Sequence, residues 1–232
     1  MVAPQEQAVV VKVLFLKKSR VMNEEMRSKR LVIVFVKNAK LGQVKTRLAS
    51  SIGNEEALYI YNRLVDITEQ ATASLPMDKC IAYSESIDNS RWPTDRKIVQ
   101  SGNDLGEKMK NAFERGFADG YHQIVLIGSD LPDISSEIIA SAFEKLNDSE
   151  TVFGPAEDGG YYLIGMSKMN TLIFENKPWS QPELLDITLK ELSQNRITTR
   201  LLNPLDDVDT LEDLKKSHLY AEYTHRNTKS VK

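Results

Sequence analysis

The chain has 232 residues, of which 41% are hydrophobic and 27% charged, the composition of an ordinary globular protein rather than a disordered or fibrous one. Its formal net charge of −3 gives no electrostatic reason to expect nucleic acid as a partner. A single cysteine, Cys80, excludes an internal disulfide, and no paired Cys/His spacing indicates zinc. These totals favour a cytoplasmic enzyme with one domain.

Residues 1–29 are predicted to be an N-terminal extension outside the catalytic fold. The apolar run at 9–16 contains Lys12 and is far shorter than the roughly 20 residues that span a bilayer. It also lacks the small-residue cleavage site of a signal peptide. We therefore expect no membrane span here. The alternative to an extension outside the catalytic fold is an extra edge strand or a partner-docking segment.

From residue 31 onward, apolar β-branched runs alternate with stretches of helical periodicity. Strands are predicted at 31–36, 79–83, 97–100, 123–127, 151–153, 161–164 and 197–202. Helices are predicted at 55–73, at 105–117, after Ser135 or Ser136, at 182–192 and at 210–217. This alternation predicts an α/β fold: a single-domain, three-layer α/β/α structure at 30–217 with a mainly parallel sheet, followed by a C-terminal tail at 218–232. In such sheets ligands bind beyond the carboxyl ends of the strands.

The loop after the first strand combines a glycine with two cations. It contains Gly42, Lys45, Thr46 and Arg47. Glycine lets backbone amides approach phosphate closely, lysine supplies a point charge and arginine a bidentate fork. Because the double-glycine frame of a Walker loop is missing, the residues predict either another kind of phosphate loop or a basic surface turn.

Carboxylates follow one buried strand and precede the last predicted helix. Asp130 comes soon after the strand at 123–127, where a carboxylate is costly unless it is paired or bound to a cation. In an extended segment Asp207 and Asp209 point the same way, and either can complete a site for Mg²⁺ or Mn²⁺ with Asp130. Turn formation or helix capping is the alternative role of these residues.

A glycine-rich turn separates the strands predicted at 151–153 and 161–164. It contains Asp158, Gly159 and Gly160. Paired glycines leave room for a ligand to touch the backbone, and Asp158 can hold an acceptor hydroxyl or act as a base beside a metal and phosphate. A plain hairpin turn is the alternative.

A weaker candidate lies between the third predicted strand and the helix that follows it. Gly102 and Asp104 can contact the base or ribose of a nucleotide. They can equally close a loop and cap the helix at 105–117.

Taken in chain order, these loops resemble one bacterial family, the nucleotide-diphospho-sugar transferase-like proteins, or glycosyltransferases associated with radical-SAM, selenium or arsenosugar gene clusters. The resemblance covers residues 30–216. It rests on Val36-Lys37-Asn38 through Gly42-x-x-Lys45-Thr46-Arg47-Leu48, Gly102-x-Asp104-Leu105-Gly106-Glu107, Gly128-Ser129-Asp130-x-Pro132, Gly154-Pro155-Ala156-x-Asp158-Gly159-Gly160-Tyr161 and Asp207-Val208-Asp209-Thr210.

The resemblance implies a glycosyltransferase A fold, with a nucleotide diphosphate bound across the first half of the sheet. Our hypothesis is metal-dependent transfer of a sugar from a nucleotide-sugar donor to a small-molecule acceptor. Asp130 and Asp209 would hold Mg²⁺ or Mn²⁺, and Lys45 and Arg47 would neutralise the remaining phosphate charge. The acceptor pocket would be lined by Asp158 with Gly159, Gly160 and Tyr161.

Two departures limit this transfer of roles. The family's proline near Ala39 is absent, and after Trp179 the usual Ser-Thr continuation is replaced by Ser180-Gln181-Pro182, so no role is carried over to that segment.

Two other functions remain open. The stretch from Lys45 to Leu48 is similar to the phosphate loop of the phospholactate guanylyltransferases, which indicates a nucleotidyltransferase that joins a nucleoside triphosphate to a phosphorylated small molecule and releases pyrophosphate. A non-catalytic nucleotide-binding protein is the second alternative.

Overall fold

The computed structural model describes residues 29–229 of the chain. The predicted N-terminal extension, residues 1–29, lies outside this described part except for Lys29. No helix within the described residues combines the length and the apolar character needed to cross a membrane.

The strands of the described chain form one sheet. They are β1 (Arg30–Val36), β2 (Asp78–Tyr83), β3 (Arg96–Val99), β4 (Gln123–Ile127), β5 (Thr151–Pro155), β6 (Tyr161–Met166) and β7 (Thr199–Leu201). Their order across the sheet is β3-β2-β1-β4-β6-β5-β7. Only β6 runs against its described neighbours β4 and β5, whereas every other pairing is parallel. The predicted α/β fold with a mainly parallel sheet is therefore confirmed.

Helices cover both faces of this sheet. They are α1 (Thr46–Ile52), α2 (Asn54–Ala73), α3 (Leu105–Ala118), α4 (Ser136–Lys145), α5 (Leu184–Gln194), α6 (Leu211–Lys216) and α7 (Leu219–Lys229), with a 3-10 turn at Thr171–Ile173. Buried residues of α2 and α4 share one apolar cluster with the sheet, and those of α3 and α5 share another. The result is three layers, helix on sheet on helix.

The sequence of β1 shows why this strand lies at the centre. Val32 and Val34 belong to the cluster with α2 and α4, while Leu31 and Ile33 belong to the cluster with α3 and α5. Successive side chains of a strand point to opposite faces, so an uninterrupted apolar run supplies both cores at once. All four side chains are at most 3% exposed.

Two helices lie where the sequence predicts none. Helix α1 begins inside the predicted phosphate loop and buries Leu48 against α2. Helix α7 lies within residues 218–232, which are predicted as a tail, and its Leu219 is fully buried in the same cluster. Both helices are short or weakly amphipathic, so their packing partners stabilise them more than their own sequences do.

Candidate active site

A cleft of about 840 Å³ opens at the carboxyl ends of the central strands. Its walls come from the loops after β1 and β4, the β5–β6 turn, the first turns of α3 and the segment before α6. Predicted site residues on these walls are Lys45, Thr46, Arg47, Asp130, Asp158, Gly160, Tyr161 and Asp209. Most of the predicted constellation thus shares one cavity.

Three carboxylates converge on the floor of this cleft. Asp130, Asp207 and Asp209 each offer an oxygen, and these oxygens lie within 4.8 Å of one another. The loops are joined by a backbone hydrogen bond, in which the amide of Val208 donates to the carbonyl of Asp130 at 3.4 Å. Val208 is buried, so the residues on either side of it face the cleft together.

Capping does not use the carboxylate of Asp209. The N-cap of α6 is Thr210, which forms a reciprocal capping box with Asp213. The backbone amide of Asp209 also donates to the Asp213 carboxylate, at 3.2 Å. The side chain of Asp209 therefore does not cap α6, contrary to the alternative interpretation, and it faces the cleft instead.

Both cations of the predicted phosphate loop contact this cluster. Lys45 donates to Asp209 Oδ1 at 2.7 Å and to Asp130 Oδ2 at 3.2 Å. Arg47 donates to the other oxygen of Asp209. Lys45 occupies a left-handed backbone conformation, with φ of 47°, at the start of α1, and its side chain is only 6% exposed.

This crowding of charges shifts pKa values in opposite directions. Burial, and then repulsion by Asp130 and Asp209, raises the pKa of Asp207 to about 7. Burial also acts to raise the pKa of Asp209, but the neighbouring Lys45 and Arg47 outweigh it and hold that pKa below its ordinary value. Burial acts to lower the pKa of Lys45, yet its two carboxylate partners hold it above the ordinary value. Added positive charge would therefore favour the ionised form of Asp207.

A buried tyrosine joins the loops that follow β1 and β4. The hydroxyl of Tyr61 accepts from the amide of Lys37 at 2.9 Å and donates to its carbonyl at 2.8 Å. It also lies 3.3 Å from the hydroxyl of Ser129. In the sequence Tyr61 is one member of an apolar helical stripe on α2, so nothing in its spacing indicates this role.

The β5–β6 turn forms the opposite wall. Asp158 lines the cleft and accepts, through Oδ1, a hydrogen bond from the amide of Gly160 at 2.9 Å. Gly159 does not line the cleft: it has φ of 86°, and a Cβ there would lie 1.9 Å from the carbonyl oxygen of Pro182. The turn is thus both the hairpin and the cleft wall, and Gly159 makes room for a neighbouring segment.

Tyr161 and Trp179 add an aromatic part to this wall. The ring of Tyr161 packs edge-on against Phe153 with centroids 5.1 Å apart, and its buried hydroxyl has no hydrogen-bond partner among the described residues. Trp179 packs against Gly106 of α3, where a Cβ would lie 2.4 Å from the indole. The sequence assigns no role to Trp179, and a lone tryptophan in a loop gives no signal that would.

Three predicted nucleotide-binding residues do not line the cleft. Gly42 is exposed in the turn before α1 and is not among the lining residues. Asp104 is the N-cap of α3, accepting from the amide of Glu107 at 2.8 Å, and Gly102 packs against that first turn. The structure therefore supports the capping interpretation for Asp104. From that part of the chain, Gln100 and Lys108 line the cleft instead.

The sheet, seven-stranded within the described residues, and the acidic cleft define an α/β protein with a nucleotidyltransferase-like or glycosyltransferase-like fold. The chain is 32% identical to a protein from Desulfovibrio desulfuricans G20, provisionally named a nucleotide-diphospho-sugar transferase. The two structures have a TM-score of 0.79, and the match covers 87% of this chain and 96% of the other. The chain therefore belongs to this nucleotide-diphospho-sugar transferase-like family. Residues 67–181 also match a family described as an uncharacterized protein conserved in bacteria (DUF2064).

More distant solved structures share the fold alone. The inositol-1-phosphate CTP transferase from T. maritima is 14% identical with a TM-score of 0.53, over 84% of this chain and 95% of its own. The 4-diphosphocytidyl-2C-methyl-D-erythritol synthase from Anaerococcus prevotii DSM 20548 is 11% identical with a TM-score of 0.55, over 84% of this chain and 99% of its own. Curated proteins give no significant match.

Proposed function

We propose that the protein is a metal-dependent glycosyltransferase that moves a sugar from a nucleotide-sugar donor to a small-molecule acceptor. The observation that carries this proposal is the convergence of Asp130, Asp207 and Asp209 in a cleft that Lys45 and Arg47 also line. Membership in a nucleotide-diphospho-sugar transferase-like family supports it. The fold supplies the cleft, and the site residues supply the chemistry.

The acidic cluster fits a hard divalent cation. Its donors are carboxylate oxygens, the ligands that Mg²⁺ and Mn²⁺ prefer. Burial, and then repulsion by the other two carboxylates, raises the pKa of Asp207 to about 7. Asp130 and Asp209, with Asp207, would hold the ion. When bound, the ion would stabilise the negative charge that develops on the departing nucleoside diphosphate.

The cations and the hydroxyl at the start of α1 would bind the phosphates. Lys45, Thr46 and Arg47 line the cleft beside the carboxylates. An ammonium and a guanidinium can neutralise phosphate oxygens that the metal does not reach, and Thr46 can donate a hydrogen bond to one of them.

Asp158 is the reason to favour sugar transfer. A hydroxyl acceptor must lose its proton when it attacks the sugar, and a carboxylate on the acceptor side of the cleft can take that proton. Asp158 lines this side, is exposed, and uses Oδ1 for its own turn, so Oδ2 is available. Gly160 and Tyr161 would complete the acceptor wall.

Nucleotidyl transfer is the second candidate. Two proteins of this fold are named as a CTP transferase and a diphosphocytidyl synthase, and the structure of a third protein of this fold was solved in complex with CTP. A phosphorylated acceptor is already ionised and needs no base, so this reaction leaves Asp158 without a task. Release of pyrophosphate from a nucleoside triphosphate would identify it.

The central assignment is tested by replacing Asp130 with Asn. The protein is assayed with a panel of nucleotide sugars, acceptors and Mn²⁺, following release of nucleoside diphosphate. We expect Asp130→Asn to reduce turnover by about 10²-fold or more, as loss of a group that stabilises transition-state charge does, with no change in the circular dichroism spectrum.

A matched control is Asp133→Asn, the same substitution three residues away. Asp133 lies outside the cleft, with a side chain 63% exposed beside His218. It should leave turnover unchanged. Full activity of Asp130→Asn would refute the assignment, and nucleotide binding without turnover on any panel would identify a non-catalytic nucleotide-binding protein.

A further inference from the structure

The cations assigned to phosphate are held by carboxylates in the described structure. Lys45 Nζ lies 2.7 Å from Asp209 Oδ1 and 3.2 Å from Asp130 Oδ2. Arg47 Nη2 donates to Asp209 Oδ2. Both oxygens of Asp209 therefore accept a hydrogen bond from a cation, and one oxygen of Asp130 does as well.

We propose that Lys45 is an internal counter-ion of the Asp130–Asp207–Asp209 cluster, which an incoming divalent cation displaces and so makes available to a nucleotide phosphate. This inference rests on the proposed function and adds to it the order of events, in which metal binding makes Lys45 available to the phosphate. Metal and nucleotide would then bind cooperatively. The metal displaces the ammonium of Lys45 from the carboxylates, and the nucleotide phosphate gives that ammonium a new partner.

Competition follows from the oxygens involved. A metal ligated by Asp209 must bind an oxygen that already accepts a hydrogen bond from Lys45 or Arg47, since each oxygen of Asp209 has such a contact. A divalent cation and an ammonium also repel each other at such short range. Lys45 is the one that must yield, because it contacts two of the three carboxylates, whereas Arg47 contacts only Asp209 at the exposed rim, where its side chain is 70% exposed.

The displaced ammonium has little choice of a new partner. The Lys45 side chain is 6% exposed and its backbone is fixed at the head of α1, so its ammonium cannot reach bulk solvent as a surface lysine does. It lines the cleft, where an anionic ligand would be the next acceptor. Without metal, and with all three carboxylates ionised, the three carboxylates and two cations leave a formal charge of −1, which repels a diphosphate. A divalent ion changes that charge to +1.

Linkage makes the coupling reciprocal. If metal raises nucleotide affinity by some factor, nucleotide must raise metal affinity by the same factor. Removing the ammonium should therefore have two effects: metal binds more tightly on its own, and the benefit that nucleotide gives to metal shrinks.

The test measures Mn²⁺ binding to the full chain by electron paramagnetic resonance of free Mn²⁺, with and without a nucleoside diphosphate (UDP, GDP, ADP and CDP in turn). For the wild type we expect weak binding of Mn²⁺ alone and about tenfold tighter binding with the cognate diphosphate, within the usual range of coupling between sites. In Lys45→Met, Mn²⁺ alone should bind about tenfold tighter, and the diphosphate should add less than about threefold.

Lys37→Met is the matched control. Lys37 also lines the cleft but has no described carboxylate partner for its ammonium, so its loss reports only the general change in cleft charge. It should alter the affinity for Mn²⁺ alone by less than about twofold, because solvent screens such interactions. Lys45→Arg retains the charge and should retain weak binding of Mn²⁺ alone.

The outcomes separate the two proposals. Equal affinity of the wild type and Lys45→Met for Mn²⁺ alone, or full coupling in Lys45→Met, overturns the counter-ion role and leaves the proposed function standing. Absence of Mn²⁺ binding by the wild type under every condition overturns both. Should Lys45→Met not fold, the wild-type titration decides: tight, nucleotide-independent Mn²⁺ binding refutes the inference, and nucleotide-dependent binding supports it.

Discussion

Gly159 is predicted to shape the acceptor side of the cleft without touching a ligand. A Cβ at this position would lie 1.9 Å from the carbonyl oxygen of Pro182, and 3.0 Å is about the closest contact that real Cβ atoms make. In Gly159→Ala the backbones of residues 159 and 182 must therefore separate by about 1.1 Å. The amide of Leu185 donates to the carbonyl of Gly159 at 3.0 Å, so the movement also strains the start of α5.

The size of the effect follows from this displacement. The segment that moves carries Trp179, and an error of about 1 Å in a positioning element can reduce a rate by about 100-fold. We expect kcat/KM to fall by about 10- to 100-fold, through KM for the acceptor. Binding of nucleoside diphosphate with Mn²⁺ should stay within about twofold, because that half of the cleft is built by other loops.

Gly53→Ala provides a matched control for backbone strain. Gly53 also has φ of 86°, but a Cβ there would meet no atom of residues 29–229 within 4 Å. Each substitution should cost about 1–3 kcal/mol from its backbone conformation, and for a chain of this size each kcal/mol lowers Tm by about 2–4 °C. Only Gly159→Ala should alter acceptor kinetics. If both variants lose stability and neither changes KM for the acceptor, Gly159 does not position this wall.

Two further predictions concern residues that the sequence does not single out. Tyr61→Phe should lower the free energy of unfolding by about 1–3 kcal/mol, measured in urea, because the amide and carbonyl of Lys37 lose their buried partner; an unchanged midpoint would contradict this role. Of the two tryptophans, Trp92 is only 2% exposed, and its indole donates a hydrogen bond to Thr72. A ligand in the cleft should therefore protect only Trp179 from acrylamide quenching. Quenching that is ligand-sensitive in Trp179→Phe would rule this out.

The sheet could be predicted because its strands carry their own signal. The runs at 31–36 and 123–127 are mostly apolar and rich in β-branched residues, as is typical of strands that are covered on both faces of a sheet. The reversed direction of β6 follows from the Gly159–Gly160 turn, whose hairpin interpretation the sequence leaves open. Helices α1 and α7 could not be predicted, because Leu48 and Leu219 become core residues only through contacts with α2.

The candidate site likewise has a part that could be predicted from the sequence and a part that could not. The loops containing Lys45, Asp130 and Asp209 could be found, because glycine, cations and carboxylates just beyond strands form a local pattern. The partners of these side chains could not. Lys45 and Asp209 are 164 positions apart, and no spacing within either loop encodes their contact. Gly159 shows the same limit, since its steric neighbour Pro182 belongs to another segment.

The ion pairs also change how much the basic loop contributes to the affinity for phosphate. A cation that already has a carboxylate partner must lose that partner before it binds phosphate, so Lys45 and Arg47 add less to the affinity of metal-free protein than their charges indicate. A metal supplies the replacement charge, and the same two residues then contribute to binding in full. Tight binding of a nucleoside diphosphate to Lys45 and Arg47 in the presence of EDTA would therefore contradict the charge arrangement on which the proposed function depends.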